Sequence, residues 1–563
     1  MPYEELLVPE TGSRVEDDLG LTVEINGTGL TIADACRVSH GLAAVKMTSD
    51  SAVEKGVLDS RAVLEEALDA GEVIYGVNTG FGGMANVIMS REDQNEVQNN
   101  MLWVHKAGVG KKLPAADVRA AMLLRANSHL RGASAIRLEL IRRIEIFLNA
   151  NITPIVPELG SIGASGDLVP LCYIAGCVTG HDANFMVECD GVEMPAKSAL
   201  QRLGLEPLPL LPKESLAMLN GTSMMTGIAM NCVKDAQDLL TLALYIHALM
   251  YQGLNGNTLP LHPFIHQSKP HAGQIAVAEK MTKLLEGSSL VRQSQGGSDR
   301  NAAQGLVQDR YSLRCIPQYL GPIVDGLSEI ARQIEVEMNS TTDNPLVDPE
   351  SRGIYYGGNF LGEYVGVTMD RLRYLLGLAA KHMDVQIGML MEPHFSNGLP
   401  PCLIGNGERR INMGLKALQI AGNSIMPLIQ FLGNSLADRY PTHAEQHNQN
   451  INSQGFGSAN LARQSIDLFR QYMSISLLFA VQSVDQRAHA MYGSYSAGKF
   501  LSSRTLPLYE AFREIASRPA NENRPLLWND YEQTLDTMVA KVTEDLKDPL
   551  SSILAAANEV AVF

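Results

Sequence analysis

No two cysteines in this 563-residue chain are spaced as a CxxC pair; the seven present, Cys36, Cys172, Cys177, Cys189, Cys232, Cys315 and Cys402, are scattered. An odd count at wide spacing suits reduced thiols in a cytoplasm better than a disulfide framework. Basic residues are in deficit: 45 Lys and Arg against 61 Asp and Glu leave a formal charge of −16. A nucleic-acid partner would need clustered cations to replace counterions, so none is expected. Long apolar runs are lacking as well. The uncharged stretch from Leu216 to Val233 carries Asn220, Thr222, Ser223, Thr226 and Asn231, and the one from Leu239 to Tyr251 is too short to span a bilayer. Both read as core helices, not membrane spans. The opening MPYEELLVPE is acidic without an apolar segment, so a secretory leader is not expected and a cytoplasmic location is. There is no low-complexity tract and no internal repeat.

What is present is a globular composition, 45% apolar and 19% charged, arranged mostly as long helical patterns. Asp117–Leu148, interrupted near Gly132, is the first. Lys213–Gln252, Leu320–Asn339, Asp370–Met391 and Ser458–Gln486 follow. Patterns of that length predict a mainly α fold, a central bundle of long antiparallel helices with a small mixed N-terminal region. Strand signals are brief: LTVEINGTGLTI with a turn at Asn26-Gly27, and FMVECDGVEM around Asp190-Gly191. Between the helices lie compact Gly-, Asn- and Pro-rich segments, the kind of loop that carries function on a rigid scaffold.

Of these, Gly160–Leu171 (GSIGASGDLVPL) is the informative one. A glycine amide is the least hindered backbone nucleophile. With Gly163 and Gly166 permitting a strained turn, the Gly166 nitrogen can attack the Ala164 carbonyl. Loss of two waters then leaves an imidazolone ring bearing a dehydroalanine made from Ser165. Taken alone, the segment reads as a glycine-rich turn before a helix, with Asp167 as N-cap.

The surroundings favour the first reading. GSIGASGDLVPL resembles the signature of the ammonia-lyases and aminomutases that use 4-methylideneimidazol-5-one (MIO). The resemblance extends from about Leu30 to past Asn529 through YGVNTGFGG, RAAMLLRANSHLRGASAIR, LLPKESLAMLNGTS, HPFIH, QDRYSLRC, TDNPL, GGNFLG, FSNGLPP and THAEQHNQNINSQG. It is to the bacterial phenylalanine ammonia-lyases in particular, with Cys172 as a small departure from the usual Ser or Ala. The resemblance implies the ammonia-lyase and fumarase–aspartase-like helical fold. It implies a MIO-containing region with an inner loop over 1–210, a long-helix bundle over 211–494 and peripheral helices over 495–563. It also implies a homotetramer with sites shared among three subunits, and an electrophile formed from Ala164, Ser165 and Gly166 with no external cofactor and no metal.

The same resemblance implies roles elsewhere. Tyr75 in YGVNTGFGG is the base that takes the β-proton; a phenol of pKa ~10 then needs its anion stabilised, by helix N-termini for example. Arg314 clamps the substrate carboxylate in a two-bond fork, with Gln308 and Tyr311 beside it and Arg310 as the competing ion-pair residue. Asn220 in LNGTS lies beside the MIO carbonyl, and Asn344 in TDNP contacts the carboxylate. Leu216, Phe360, Glu445, Gln449 and Lys416 complete the pocket, Glu445 near the amine. Lys416 reads equally as a solvated helix lysine.

Substrate choice rests on Val104-His105, where phenylalanine-specific members have an aromatic residue and then Leu. His105 is suited to hydrogen-bond a phenol, as in tyrosine aminomutases and histidine ammonia-lyases; the alternative is a histidine bonded to neighbouring backbone. The expected reaction is elimination of ammonia from tyrosine or phenylalanine to the trans-arylacrylate, with a 2,3-aminomutase as the alternative. Two further alternatives stand beside it. One is a metal hydrolase built on His443-x-Glu445-x-His447 or on His262, His266 and His271, although HxExH is not the HExxH of zinc hydrolases. The other is a non-catalytic helical scaffold in which Ser165 stays chemically intact.

Overall fold

A computed structural model describes residues 21–181, 184–293, 308–440, 443–532 and 534–558. Helices dominate, as the periodicity predicts. The long ones are Ser223–Gly253, Ile316–Met338, Glu363–Met391 and Gly455–Tyr492. The first long pattern divides into Ala115–His129 and Leu138–Asn149, with Gly132 at φ +70° in the break.

Two local expectations are corrected. The N-terminal strand Thr22–Ile25 does not turn back at Asn26-Gly27; it pairs in parallel with Ala44–Met47 across an intervening helix, Ile32–Ser39. Asn127 accounts for this, because its side-chain oxygen takes the Gly27 amide at 2.9 Å and draws the turn onto another helix. Asn220 does not sit inside a helix either. Glu214–Leu219 ends at Asn220, which has φ −84° and ψ 100°, and a new helix starts at Ser223. The hairpin at Asp190-Gly191 forms as expected, Met186–Cys189 against Val192–Pro195.

The chain folds as two compact units, each assembled from separated stretches. The first comprises the described residues of Met1–Lys234, Ala331–Asp370 and Ser435–Ala462; the second, those of Asp235–Ile330, Arg371–Asn434 and Arg463–Phe563. No disulfide joins the seven cysteines. No helix among the described residues is long and apolar enough to cross a membrane.

In the first unit, a cluster of Val63, Leu64, Ala67, Ile74, Val77, Ala135 and Val347 anchors the chain on either side of Tyr75. In the second, Tyr319 stacks on His382 while Gly326 lies against Leu375, so Ile316–Met338 and Glu363–Met391 run antiparallel there. Its polar hub is the fully buried Asp485 carboxylate, which pairs with Arg513 and accepts from Tyr509 Oη and the Leu526 amide, each at 2.8 Å. Burial pushes the Asp485 pKa up to about 6 against the pull of Arg513. Removing one partner of a buried pair leaves the other charge uncompensated. Arg513→Met is therefore expected to lower stability by about 3–5 kcal/mol, read as a fall in the urea midpoint at unchanged slope.

Candidate active site

The site in the first unit grows from a backbone contact. Gly166, at φ +68°, pairs with Gly221 as an isolated bridge, and a Cβ on Gly166 would overlap the Gly221 peptide group. Gly221 is as confined, since a Cβ there would meet the Arg125 guanidinium and Thr342. The contact holds Asn220 beside Ser165: Asn220 Nδ2 donates to the Ser165 carbonyl at 2.9 Å. Gln449 Nε2 donates to the Ser165 hydroxyl at 3.0 Å from another loop. Ser161 supports the turn from below, its hydroxyl donating to the Gly166 carbonyl at 3.0 Å and receiving the Gly163 amide at 3.1 Å.

Four helices begin around this turn. Leu168–Thr179 follows Asp167 directly. Ser223–Gly253 starts where the Met225 amide donates to Asp167 Oδ2 at 2.8 Å. Gly455–Tyr492 starts where the Gly455 amide meets Ser453 Oγ at 3.1 Å, and that hydroxyl donates on to the Gly163 carbonyl at 3.0 Å. Glu363–Met391 starts after Gly362, which packs against Met225 and Ser453. Ile316–Met338, by contrast, ends here, with Thr222 Oγ1 donating to Glu337 at 2.6 Å. Helix N-termini each present about half a positive charge, so their convergence favours an anion at the turn. Asp167 is the nearest carboxyl, yet its complete burial raises its pKa to about 7, and its Oδ1 is buried without a partner.

Beneath the turn lie two buried cations. Arg125 Nη1 donates to the Asn220 carbonyl at 3.1 Å, and burial lowers its pKa to about 10. Lys213 is ion-paired with Asp343 at 2.7 Å, both side chains fully buried. Burial also lowers the Lys213 pKa. Neither appeared among the sequence-derived candidates. Both lie in quoted motifs, RAAMLLRANSHLRG and LLPKESLAMLNGTS, but only burial distinguishes them from surface cations.

Tyr75 is half-buried, and its Oη accepts the Gly82 amide at 3.1 Å. That bond supplies the kind of donor a phenolate requires. The loop after it interlocks with the one carrying Glu445: a Cβ on Gly82 would overlap the Glu445 carboxylate, and one on Gly83 the Gln446 amide. Glu445, Gln446 and His447 adopt φ of +48°, +56° and +64°, three consecutive non-glycine residues in the left-handed region. Such a run costs about 1–2 kcal/mol per residue, and strain of this kind gathers at functional sites. Leu216 reaches the same loop, since a Cβ on Gly76 would lie 2.6 Å from its Cδ2.

Asn344 sits one residue after Asp343, and its side-chain oxygen accepts the Gly357 amide at 2.8 Å, tethering the loop that carries the half-buried Phe360. Val104 and His105 end the helix Arg91–His105, whose Gln98 Oε1 accepts the Ser215 amide at 3.2 Å. Val104 is exposed. His105 Nδ1–H donates to the Met101 carbonyl at 2.9 Å, which leaves Nε2 as an acceptor. The backbone-bonded alternative is thus realised at one ring nitrogen only.

Gln308, Tyr311, Arg314 and Lys416 belong to the second unit. Gln308 and Lys416 are exposed, Lys416 at the start of the helix Lys416–Leu432. Arg314 stacks over the exposed Tyr311 ring at 4.5 Å, and Arg310 over Phe395 at 4.4 Å. Arg310 is thus a stacked cation here. His443 and His447 stack face to face at 4.3 Å. Among the described residues no His, Cys, Asp and Glu group is arranged to hold a metal.

Because Gly166→Ala combines a left-handed φ with overlap onto fixed backbone, it is expected to cost about 2–4 kcal/mol of stability, measured by urea titration.

Comparison with known proteins gives the family. The model of the aromatic amino acid lyase family matches residues 30–514. A phenylalanine ammonia-lyase of Nostoc punctiforme is 58% identical over 93% of this chain and 92% of its own length. An aromatic ammonia-lyase of Loktanella atrilutea is 46% identical over 93% and 96%. Among solved structures, the phenylalanine aminomutase of Pantoea agglomerans superposes with a TM-score of 0.84 at 30% identity, covering 95% of this chain and 100% of that one. The chain belongs to the aromatic amino acid lyase family and is an enzyme of the carbon–nitrogen lyase class.

Proposed function

We propose that this enzyme eliminates ammonia from tyrosine or phenylalanine to give the trans-arylacrylate, using a MIO group that it forms from Ala164, Ser165 and Gly166. The observation that carries the reading is the grip on Ser165, its carbonyl held by Asn220 and its hydroxyl by Gln449, beside a Gly166 that tolerates no side chain. These residues fit the group: a positive-φ glycine supplies the nucleophilic nitrogen, and Asn220 is set to bond the ring oxygen. The group supplies an electrophilic carbon that makes a poor amine leaving group a better one.

The chain's own residues do the rest. Tyr75, its oxygen bonded by the Gly82 amide, takes the β-proton. Arg314 clamps the substrate carboxylate, with Asn344, Tyr311 and Gln308 beside it. Glu445 neighbours the amine, and Leu216, Val104, Phe360 and Lys416 line the pocket. His105 Nε2 accepts the phenol hydroxyl of tyrosine. The enzyme acts in the cytoplasm as a homotetramer in which copies share sites. The exposed Ile420, Leu428 and Phe431 on one helix suit burial against another copy.

The test is direct. The intact chain is expected to weigh less than its sequence by two waters and to release arylacrylate, followed by absorbance, from tyrosine and phenylalanine but not histidine. Full mass and no absorbance change would overturn the reading. His105→Leu is expected to lower kcat/KM for tyrosine relative to phenylalanine by about 3–10-fold, the worth of one neutral hydrogen bond; an unchanged ratio removes His105 from specificity. The alternative is a 2,3-aminomutase, supported by the likeness to the Pantoea enzyme. It would show β-amino acid among the products.

A further inference from the structure

Inside the second unit runs a chain of buried hydrogen bonds that the elimination chemistry does not use. Its far end is the short helical turn Tyr311–Arg314. Gln386 Nε2 donates to the Ser312 carbonyl at 2.6 Å, where the helix breaks at Cys315 before Ile316–Met338 begins. A carbonyl only accepts, so this bond orients the amide and turns Gln386 Oε1 toward His247 Nδ1, 2.8 Å away. His247 Nδ1 must then carry the proton and Nε2 the lone pair. His382 Nδ1 stands 3.3 Å from that Nε2 and is therefore the donor.

The direction of every proton follows: His382 to His247 to Gln386 to the Ser312 carbonyl. Both rings are neutral, since burial takes His247 down to about 4, and burial together with His247 takes His382 to about 2. Tyr319 stacks on His382 with centroids 4.8 Å apart and fixes the ring plane. Ser312 is tied to the same helix a second time, its hydroxyl 2.9 Å from Met389 Sδ. The chain ends two residues before Arg314, whose own Nε is buried without a partner. Arg314 itself is thus held by stacking on Tyr311 and by the backbone of its turn.

We infer that Gln386, oriented by the buried His247–His382 pair, is a positioning residue that sets the turn presenting Tyr311 and Arg314. The inference rests on the reading of Arg314 as the carboxylate clamp. Hydrogen bonds in a buried chain polarise one another, and a guanidinium fork on a shifted turn loses its alignment with a carboxylate.

Gln386→Glu keeps the acceptor facing His247 and removes the donor to Ser312. It is expected to raise KM for the amino acid and Ki for the arylacrylate together by about ten-fold. kcat should stay within about three-fold, the two-water mass loss should remain, and binding of the carboxylate-free arylethylamine should be unchanged. Amide exchange at Arg314 and Cys315 should quicken. His247→Asn, which keeps an N–H near the Nδ1 position, is expected to retain both constants, whereas His247→Leu reproduces the Gln386→Glu effect. That pair decides the matter if Gln386→Glu fails to fold. Equal weakening of the arylethylamine, or a fall in melting temperature with KM, Ki and amide exchange all unmoved, overturns the inference. Arg314→Gln separates the two readings. If it leaves KM and Ki alone while Gln386→Glu still quickens exchange at 314–315, the clamp reading fails and the positioning stands.

Discussion

Two glycine peptides pressed together, Gly166 against Gly221, are the constraint on which the Ser165 turn depends. A backbone bridge at that separation admits no Cβ on either side, and it joins a loop to the gap between two helices. Because the gap is there, Asn220 is free of helical geometry and turns its amide to Ser165. Because the loop is there, Leu168–Thr179 and Ser223–Gly253 both open onto the same few atoms. A side chain at Gly166 would break the bridge, the amide contact and the convergence together.

Electrostatics at the turn follow from that convergence. Four helix starts point at it, Arg125 and Lys213 lie buried beneath it, and the adjacent Asp167 has its pKa lifted to about 7 by burial. Asp343 is the buried counter-ion paired with Lys213. The surroundings are poised to hold negative charge without supplying it. That suits a site where a carboxylate binds and where electron density is drawn toward a protein group.

Much of this was legible in the residues. The apolar period located the long helices, Ile316–Met338 to within four positions, although Glu363–Met391 begins seven residues before its pattern and Ser223–Gly253 ten after, and Gly132 marked a real break. Asn220 was harder to read. LNGTS continues the uncharged run of a long helix, and only the demand of Gly166 for a neighbour without a side chain shows why the helix stops there. The turn at Asn26-Gly27 misled for a related reason, since a distant side chain, Asn127, outbid the local hairpin. Arg125 and Lys213 were invisible as site residues because a motif records identity and not depth. The His247–Gln386 chain was invisible because its members lie far apart in sequence and carry ordinary core spacing. The discontinuous units have the same cause: a linear scan sees neighbours in the chain, whereas contacts gather three stretches into each unit.

The Gly82 amide has two tasks at once. It donates to the Tyr75 oxygen, and its residue packs against Glu445, so it belongs both to the phenol and to the seam between two loops. Parting that seam to admit or release a small molecule also strips the phenol of its donor. The phenol is therefore bonded only behind a shut door. On the proposed reading of Tyr75 as the base, the timing of any exit through that seam and the readiness of the base are one variable.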